Sequence, residues 1–257
     1  MNFSGKTVLL TGASSGIGLS CTQQLLEANA SVILVDRQPA PLAVSDLHGG
    51  PPRILSVTGD VADARIMSEA IERGCERFGR LDAAINCAGL KGLLVPLTEQ
   101  SDEALDELYA VNVRGVFLAM KYELRRMIPQ GRGAIVNVSS IYGLRSAQKF
   151  ALYSATKHAV VGLTQGAALE VAACGIRINA VAPGPVNTPF LGRQLTERER
   201  VSPVTPLSRF AEPAEIAQAI LWLCSDAASF VTGQVLSVDG GMSAQSLTRL
   251  ESPQLRS

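Results

Sequence analysis

The chain has 257 residues, and 47% of them are hydrophobic, which is enough to bury the core of one large α/β domain. Its 23 lysines and arginines balance 23 aspartates and glutamates. Because no net charge creates a long-range field, the composition argues against a protein that binds nucleic acid or anionic membranes.

Cysteines and histidines give no sign of a disulfide framework or a metal centre. The five cysteines are scattered, odd in number and without a C-x-x-C pair. His48 and His158 lack a partner at the spacing of metal ligands. The first apolar run, residues 7–10, is too short for a signal peptide or a membrane span. We therefore predict a cytoplasmic protein with reduced cysteines, no metal site and no membrane partner.

Short runs of aliphatic and β-branched residues alternate with longer helical patterns along the chain. The predicted strands cover residues 7–10, 32–35, 53–57, 83–86, 134–138, 177–181 and 234–238. The predicted helices cover residues 17–28, 62–78, 102–127, 153–173 and 213–225. Regular alternation of uniformly apolar strands with helices indicates a parallel sheet covered on both faces. We predict an α/β, doubly wound (Rossmann-like) fold of about seven strands in a single domain over residues 1–257.

A glycine-rich sequence, Thr11-Gly-Ala-Ser-Ser-Gly-Ile-Gly18, follows the first predicted strand. Its three glycines let the backbone turn tightly and approach a pyrophosphate, whose charge is met by the N-terminus of the next helix. The spacing is G-x-x-x-G-x-G, and taken alone it is also compatible with a plain turn or the cofactor loop of a methyltransferase. Its position between the first strand and the first helix favours phosphate binding.

Asp36 stands at the end of the second predicted strand. A carboxylate there accepts hydrogen bonds from the adenosine ribose hydroxyls of NAD and repels the 2′-phosphate of NADP. A solvated aspartate at a strand end is the alternative. Arg37 complicates this interpretation, because a guanidinium beside the ribose could instead hold that phosphate. We predict that NAD is preferred to NADP.

Tyr153 and Lys157 lie four residues apart in a predicted helix, so their side chains project from one face. The lysine ammonium would favour the phenolate and lower the pKa of the tyrosine from its ordinary value of about 10. A serine hydroxyl such as that of Ser140 could hold a carbonyl or alkoxide oxygen while the tyrosine moves the proton. Alone, the Y-x-x-x-K pattern is weak, because any amphipathic helix can produce it.

Several short motifs occur together in a fixed order. They are TGASSGIG at residues 11–18, Asp60-Val61, Asn86-Cys-Ala-Gly89, Val111-Asn112-Val113, Ser139-Ser140, Tyr153-x-x-x-Lys157 and Pro183-Gly184. In this order, over residues 3 to about 242, they resemble the short-chain dehydrogenase/reductase (SDR) family. One departure is Cys87, where the turn of the family usually carries asparagine.

The resemblance implies a nicotinamide-dependent oxidoreductase with a Ser-Tyr-Lys mechanism. Tyr153 would be the general acid-base, Lys157 would lower its pKa and hold the nicotinamide ribose, and Ser140 would orient the reacting oxygen. Asn112 would hold a water molecule in a proton relay through Lys157 to solvent. The alternative for Asn112 is a helix asparagine packed against a neighbour.

The resemblance also implies the cofactor site. Asp60 and Val61 would contact adenine, and Thr188 would hold the nicotinamide carboxamide. Together with the glycine loop, the predicted cofactor-binding residues are Gly12, Ser14, Ser15, Gly16, Ile17, Gly18, Asp36, Arg37, Asp60, Val61, Asn86, Ala88, Gly89, Tyr153, Lys157, Pro183, Gly184, Val186 and Thr188.

By the same resemblance, the substrate pocket takes its walls from the segments after Gly89, between Ser140 and Tyr153, and after Pro183. The predicted substrate residues are Ser140, Tyr142, Gln148, Phe150, Tyr153, Pro185 and Phe190, beside Leu90, Leu93, Leu94 and Leu191. This largely apolar lining favours a compact, neutral secondary alcohol or ketone, cyclic or branched. Four basic residues of these segments would bind an anion only if they point inward, and long basic side chains on loops are mostly solvated: Lys91, Arg145, Lys149 and Arg193.

Two segments and the quaternary structure complete the prediction. Residues 184–212 resemble the mobile substrate lid of the family, and the polar tail at residues 243–257 lacks a clear period.

The helices around residues 102–127 and 153–173 carry apolar residues on more than one face, and SDR relatives pair these helices between subunits. We expect a homotetramer, on the basis of Val116, Phe117, Leu118, Met120, Val160, Val161 and Leu163.

Three other functions fit the sequence motifs less well. A 3-oxoacyl thioester reductase of the same family usually uses NADPH, which Asp36 disfavours. A non-catalytic dinucleotide sensor would have little reason to keep Ser140, Tyr153 and Lys157 together, and a methyltransferase would not need the tyrosine and lysine helix. We therefore predict an NAD-dependent dehydrogenase or reductase that acts on a small alcohol or ketone.

Overall fold

A parallel sheet of seven strands forms the centre of the computed structural model, which describes residues 1–39, 53–191 and 205–244. The strand order is β3-β2-β1-β4-β5-β6-β7, and each neighbouring pair is parallel. The strands are β1 (Thr7–Thr11), β2 (Ser31–Asp36), β3 (Ile54–Thr58), β4 (Ala83–Asn86), β5 (Gly133–Val138), β6 (Ile176–Pro183) and β7 (Val235–Val238). Parallel neighbours must be joined by crossover connections. This strand order with parallel pairing throughout confirms the predicted doubly wound fold.

Helices make five of these six crossovers, and the connection between β2 and β3 lies largely outside the described residues. In the part of the chain that the structure describes, the helices are α1 (Gly16–Glu27), α2 (Ala64–Phe78), α3 (Asp102–Tyr109), α4 (Val116–Gln130), α5 (Ala151–Val171) and α6 (Pro213–Cys224). The helix predicted over residues 102–127 is one continuous helical run, but its middle, Ala110–Gly115, is a π-helix. Such segments often mark functional sites.

The helix ends follow from local chemistry. The side chain of Asp63 accepts a hydrogen bond from the backbone N–H of Arg65 and begins α2, while Gly79, at φ 83°, ends it. Ser101 accepts from the N–H of Ala104 at the start of α3. A capping box between Glu212 and Glu215 begins α6.

Two apolar cores fill the two faces of the sheet. Leu10 and Leu34 belong to the core beneath α1 and α6, whereas Leu9 and Ile33 belong to the core beneath α2, α4 and α5. Successive residues enter different cores because side chains alternate across a strand. This two-sided burial explains why the strands are apolar at nearly every position.

The strand order reverses between β1 and β4, since β2 and β3 lie on one side of β1 and the later strands on the other. Ligands of such sheets bind outside the carboxyl ends of the strands at this reversal point. The hydroxyl of Thr11 joins the two strand ends there, because its Oγ1 accepts hydrogen bonds from the backbone N–H groups of Cys87 and Ala88, both at 3.2 Å.

Two predicted segments, the lid and the tail, lie partly outside the described residues. Residues 192–204 of the predicted lid and residues 245–257 of the predicted tail lie outside the described residues. All five cysteines are described, and all are free thiols. Among the helices that the structure describes, none has the length and apolar character needed to cross a membrane.

Candidate active site

A cavity of about 550 Å³ opens at the carboxyl edge of the sheet, and the segments after all seven strands line it. These segments contribute residues 12 and 14–17 after β1, 36–38 at the end of β2, 59–61 after β3, 87–91 after β4, 138–142 at the end of β5, 183–186 and 188–190 at the end of β6, and Met242 after β7. The sheet therefore gathers segments that are far apart in sequence around one space.

Glycines let the first turn pack closely against its neighbours. Gly12 has a φ of 69°, and a Cβ there would lie 2.8 Å from the backbone of Ala88. A Cβ on Gly18 would collide with the carbonyl oxygen of Gly12. No other residue type fits these two positions without displacing backbone, so the N-terminus of α1 stays within reach of the cavity.

Asp36 closes the glycine-rich turn from the second strand. One of its carboxylate oxygens accepts a hydrogen bond from the N–H of Ser14 at 2.9 Å, and the other accepts from the N–H of Gln38 at 3.0 Å. Its neighbour Arg37 points away from this contact and pairs with Asp60, with 2.7 Å between Nη2 and Oδ2. The guanidinium of Arg37 thus already has a carboxylate partner.

Tyr153 lies in an aromatic environment and is only 8% exposed. Its ring centroid is 6.4 Å from that of Tyr142, 6.3 Å from that of Phe150 and 6.1 Å from that of Phe190. Burial raises the pKa of Tyr153 to about 12, and a hydrogen bond with Ser140 lowers it in part. This direction is opposite to the lowered pKa predicted from the lysine spacing, because burial removes the water that would solvate a phenolate.

Lys157 lies beside Tyr153, as the helical spacing predicts. Its Nζ is 5.8 Å from the Tyr153 ring centroid and donates a hydrogen bond to the carbonyl of Val138 at 3.0 Å. Burial lowers the pKa of Lys157 to about 8. The ammonium is therefore held at the end of β5, where a small change in its surroundings alters its protonation.

The two adjacent serines point in different directions. Ser140 lines the cavity, and its Oγ accepts a hydrogen bond from the N–H of Tyr142 at 3.2 Å. The hydroxyl of Ser139 donates to the carbonyl of Lys157 at 3.0 Å and fastens α5 to the end of β5. Both serines line the cavity, and the hydroxyl of Ser139 is already engaged by the Lys157 carbonyl. The role of Ser140 at the substrate stays a prediction.

Asn112 lies in the π-helix and is completely buried. Its Oδ1 accepts from the N–H of Leu90 at 2.7 Å, while its Nδ2 donates to the carbonyl of Leu90 at 2.8 Å and to Oγ1 of Thr156 at 3.0 Å. The side chain thus fastens the segment after β4 to α5, in agreement with the packed alternative. The proton relay stays a prediction.

Most of the predicted cofactor and substrate residues line this cavity, but several do not. Gly18, Asn86 and Asn112 lie behind the lining, and Gln148 is exposed outside it. Among the predicted basic residues, Lys91 lines the cavity and Lys149 is exposed outside it. Leu93 is also exposed outside the lining, the side chain of Leu191 is not described, and Arg193 lies outside the described residues.

Arg145 has a different partner from the anion considered above. Its guanidinium donates hydrogen bonds to the backbone carbonyls of Met242, at 3.5 Å, and of Ser243. Asp239 holds the same turn, because its carboxylate accepts from the N–H groups of Gly241 and Ser243. These contacts place Met242 at the cavity.

Nine lining residues were not among the predicted site residues: Gln38, Gly59, Cys87, Val111, Val138, Ser139, Ile141, Pro189 and Met242. Gln38, Gly59 and Val138 could have been found, since they lie at or just after predicted strand ends. Nothing local marks Met242. Within the described ranges, no group of three or more His, Cys, Asp or Glu side chains is placed to hold a metal ion.

Comparison with known proteins decides the family. A family model described as "Enoyl-(Acyl carrier protein) reductase" matches residues 12–243, almost the whole described chain. The chain belongs to the SDR family. It is 40% identical over 249 residues to the 2,5-dichloro-2,5-cyclohexadiene-1,4-diol dehydrogenase of Sphingobium indicum, covering 95% of this chain and 99% of that protein. It is also 40% identical over 244 residues to the cis-4-hydroxycyclohexanecarboxylate dehydrogenase of Sinomonas cyclohexanicum, covering 94% and 98%.

Solved SDR structures match the fold closely. The crystal structure of levodione reductase has a TM-score of 0.88 and 36% identity, covering 95% of this chain and 99% of that chain. A 3-ketoacyl-(acyl-carrier-protein) reductase from Brucella melitensis complexed with NADH has a TM-score of 0.87 and 32% identity, covering 94% and 100%. ElxO with NADP bound has a TM-score of 0.86 and 35% identity, covering 93% and 99%. The predicted family is confirmed, and this SDR chain is an oxidoreductase by descent.

Proposed function

We propose that this SDR chain interconverts a small, neutral, cyclic secondary alcohol and its ketone, with NAD(H) as the cofactor. The observation that carries the proposal is the convergence of Ser140, Tyr153 and Lys157 on the cavity that the glycine-rich turn also lines. The close approach of Gly12 to Ala88 and the nearby N-terminus of α1 fit a dinucleotide pyrophosphate. The predicted cofactor residues that line the cavity would hold it.

Proton transfer would fall to Tyr153. In the oxidation direction its phenolate would take the proton of the substrate hydroxyl while the hydroxyl of Ser140 donates a hydrogen bond to the same oxygen. Because burial raises the pKa of Tyr153 to about 12, the phenolate needs a cation beside it. Movement of the Lys157 ammonium from the Val138 carbonyl towards the phenol would supply that cation. A bound nicotinamide supplies or accepts the hydride.

Preference for NAD is supported by the charges at the ribose position. Asp36 presents a carboxylate there, and the guanidinium of Arg37 pairs with Asp60 at 2.7 Å. Two like charges about 4 Å apart repel by roughly 4 kcal/mol at an effective dielectric near 20, and even a third of this energy gives about tenfold discrimination. Wild-type kcat/KM should therefore be at least about tenfold higher with NAD than with NADP. Comparable values would contradict the proposal.

The substrate class is supported by the walls around Tyr153. Tyr142, Phe150 and Phe190 surround its ring, and flat aromatic faces suit a compact ring-shaped molecule. Within the described lining, the charged side chains away from the glycine-rich turn are Lys91 and Lys157. Two relatives have names that specify a six-membered ring substrate.

A kinetic panel tests the substrate class. Cyclohexanols and neutral cyclic diols should give the highest kcat/KM with NAD, with cyclic hydroxy acids as charged controls matched in shape. The rival within the family, a 3-oxoacyl thioester reductase, predicts the reverse order. If 3-oxoacyl thioesters or anionic hydroxy acids exceeded every neutral alcohol, the neutral cyclic substrate would have to be abandoned.

We also propose a homotetramer. Of the apolar residues on which this was predicted, Val116, Leu118, Met120 and Val160 are buried within their own chain and carry no such argument. The exposed large apolar side chains include Leu105, Tyr109, Phe117 and Leu169 on α3, α4 and α5, Trp222 on α6, and Phe230 before β7. Light scattering at micromolar concentration should give a tetramer, and a stable monomer would contradict the proposal.

A cytoplasmic location completes the proposal. The five free thiols suit a reducing compartment. Cell fractionation should recover the protein with cytoplasmic enzymes, and recovery from an oxidising compartment would contradict this location.

A further inference from the structure

A row of polar side chains crosses the interior behind the cavity. Glu123 of α4, Asn86 of β4, Asn137 of β5 and Thr164 of α5 are all buried. The Nδ2 of Asn86 donates to Oε2 of Glu123 at 3.2 Å and to Oδ1 of Asn137 at 2.9 Å. The Nδ2 of Asn137 donates to Oγ1 of Thr164 at 2.9 Å. We call these four residues the buried polar chain.

Each element joined by the buried polar chain also carries part of the candidate active site. Asn86 directly precedes the turn that lines the cavity after β4, and Asn137 directly precedes the strand end whose carbonyl receives Lys157. Lys157 itself lies on α5, and Glu123 lies on the helical run that contains Asn112. The buried polar chain therefore connects four separate supports of one site.

Glu123 occupies an unusual position for an acidic side chain. It is completely buried, its Oε2 accepts one hydrogen bond, from Asn86, and its Oε1 has no hydrogen-bond partner among the described residues. A carboxylate is stable inside a protein when several donors or a cation surround it, and one neutral amide falls short of that.

The cations on the same helix do not supply the missing partner. Lys121 and Arg125 are both exposed and lie over the ring of Tyr122, at 5.8 and 5.4 Å from its centroid. Arg126 is exposed as well. In the adjoining π-helix, Arg114 is exposed and donates to the carbonyl of Ala62.

The elements packed against α4 do not supply it either. β4 and β5 contain no ionisable side chain, and every charged residue of α2 is exposed. On α5, the ammonium of Lys157 binds the Val138 carbonyl, while His158 and Glu170 are exposed. On the other face of the sheet, in α6, burial raises the pKa of the Cys224 thiol to about 12, with a smaller contribution from Glu123. These surroundings disfavour a negative charge.

We infer that Glu123 is held as the neutral carboxylic acid and that, in this form, it positions the active site by keeping the buried polar chain intact. A proton removes the buried charge and turns one carboxylate oxygen of Glu123 into an O–H donor. Among the described residues, Oε1 of Glu123 and Oδ1 of Asn86 are buried oxygens without a hydrogen-bond partner. The positioning role rests on the proposed function, whereas the protonation state does not.

A neutral Glu123 makes the stability of the folded protein depend on pH. Burial raises the pKa of Glu123 from its ordinary value of 4.5 to about 8. Between these two values the folded protein keeps a proton that the unfolded chain has released. The contribution of Glu123 to stability is therefore fully present below pH 4.5 and is lost progressively as pH rises to about 8.

Two measurements test the protonation state without any enzyme assay. Infrared spectra of wild type at pH 7 should contain a protonated carboxyl band that Glu123→Gln lacks. Denaturation midpoints of wild type should fall more steeply between pH 5 and pH 8 than those of Glu123→Gln, which keeps the shape but cannot ionise. A missing band, or equal slopes in the two proteins, would overturn the inference.

Kinetics test the positioning role. Glu123→Gln should keep kcat within about twofold of wild type, while Glu123→Ala should lower kcat about tenfold, because loss of the buried polar chain misplaces the catalytic groups. Met127→Ala is the matched control, since Met127 is also fully buried on α4 and lies outside the buried polar chain. It should lose stability with wild-type kcat and pH dependence.

The remaining outcomes are also decisive. A folded Glu123→Ala with wild-type kcat would overturn the positioning role. If that variant fails to fold, Thr164→Val interrupts the other end of the buried polar chain and should lower kcat in the same way, and a wild-type kcat would overturn the role. If wild type oxidised no alcohol and reduced no ketone, the proposed function and the positioning role would both be wrong, while the infrared and denaturation results would still decide the protonation state.

Discussion

The proposed cofactor half and the proposed substrate half of the cavity are built differently. The cofactor half is shaped by backbone: Gly12 lies against Ala88, and Asp36 binds the N–H of Ser14. The substrate half is shaped by side chains such as Phe150 and Met242, which come from segments far apart in sequence. Backbone shape depends on a few local residues, whereas side-chain walls depend on how distant loops pack.

Tyr153 stands where the two halves meet, so its hydroxyl gives the largest expected effect. Tyr153→Phe removes the proton-transfer group and keeps the ring that packs on Tyr142 and Phe150. We expect kcat to fall by about 10²- to 10⁴-fold with cofactor affinity nearly unchanged. Steady-state kinetics and fluorescence titration with NADH measure both quantities. A variant that kept a substantial part of wild-type kcat would show that the mechanism is wrongly assigned.

Gly12→Ala tests whether backbone shape controls the cofactor half. The added Cβ meets the Ala88 backbone at 2.8 Å, and we expect the Kd of NADH to rise at least about tenfold. Gly5→Ala is the matched control, because Gly5 also has a positive φ, 71°, but has nothing within 4 Å of an added Cβ. That control should cost about 1 kcal/mol of stability and leave the Kd unchanged. Equal Kd values for the two variants would argue against a backbone-made site.

Met242→Ala tests the substrate half and should have the smallest effect. Loss of its side chain from the wall should raise KM for a cyclic alcohol about three- to tenfold and leave KM for NAD unchanged. Arg145→Gln should act in the same direction, because the guanidinium holds the carbonyls of Met242 and Ser243. If both variants raised KM for NAD instead, the division between the two halves would not hold.

The same division explains what could be predicted from sequence. A pattern of a few neighbouring residues is enough to identify the glycine-rich turn, Asp36 and the pair of Tyr153 and Lys157. The structure places all of them on one cavity. The strand order follows from the alternation of elements and the chirality of their connections. Local sequence thus carries most of the fold and the cofactor half.

The remaining features depend on contacts that no local pattern encodes. Gln148 was placed in the substrate pocket because of its segment, yet it is exposed next to Lys149, which has a φ of 69°. Met242 reaches the cavity on a turn that Asp239 holds together with Arg145, which lies nearly one hundred residues away. The raised pKa of Tyr153 likewise depends on aromatic side chains that meet only in the folded protein.

The π-helix Ala110–Gly115 makes this part of the chain sensitive to a change in its length. Geometrically, it is one residue inserted into an α-helix, and each α-helical residue turns the helix by about 100°. Deletion of one residue from this segment would restore a regular α-helix and rotate α3 by about that angle relative to α4. Asn112 would then turn away from Leu90 and Thr156, its present partners. In this segment, changes of length should be tolerated less well than changes of side chain.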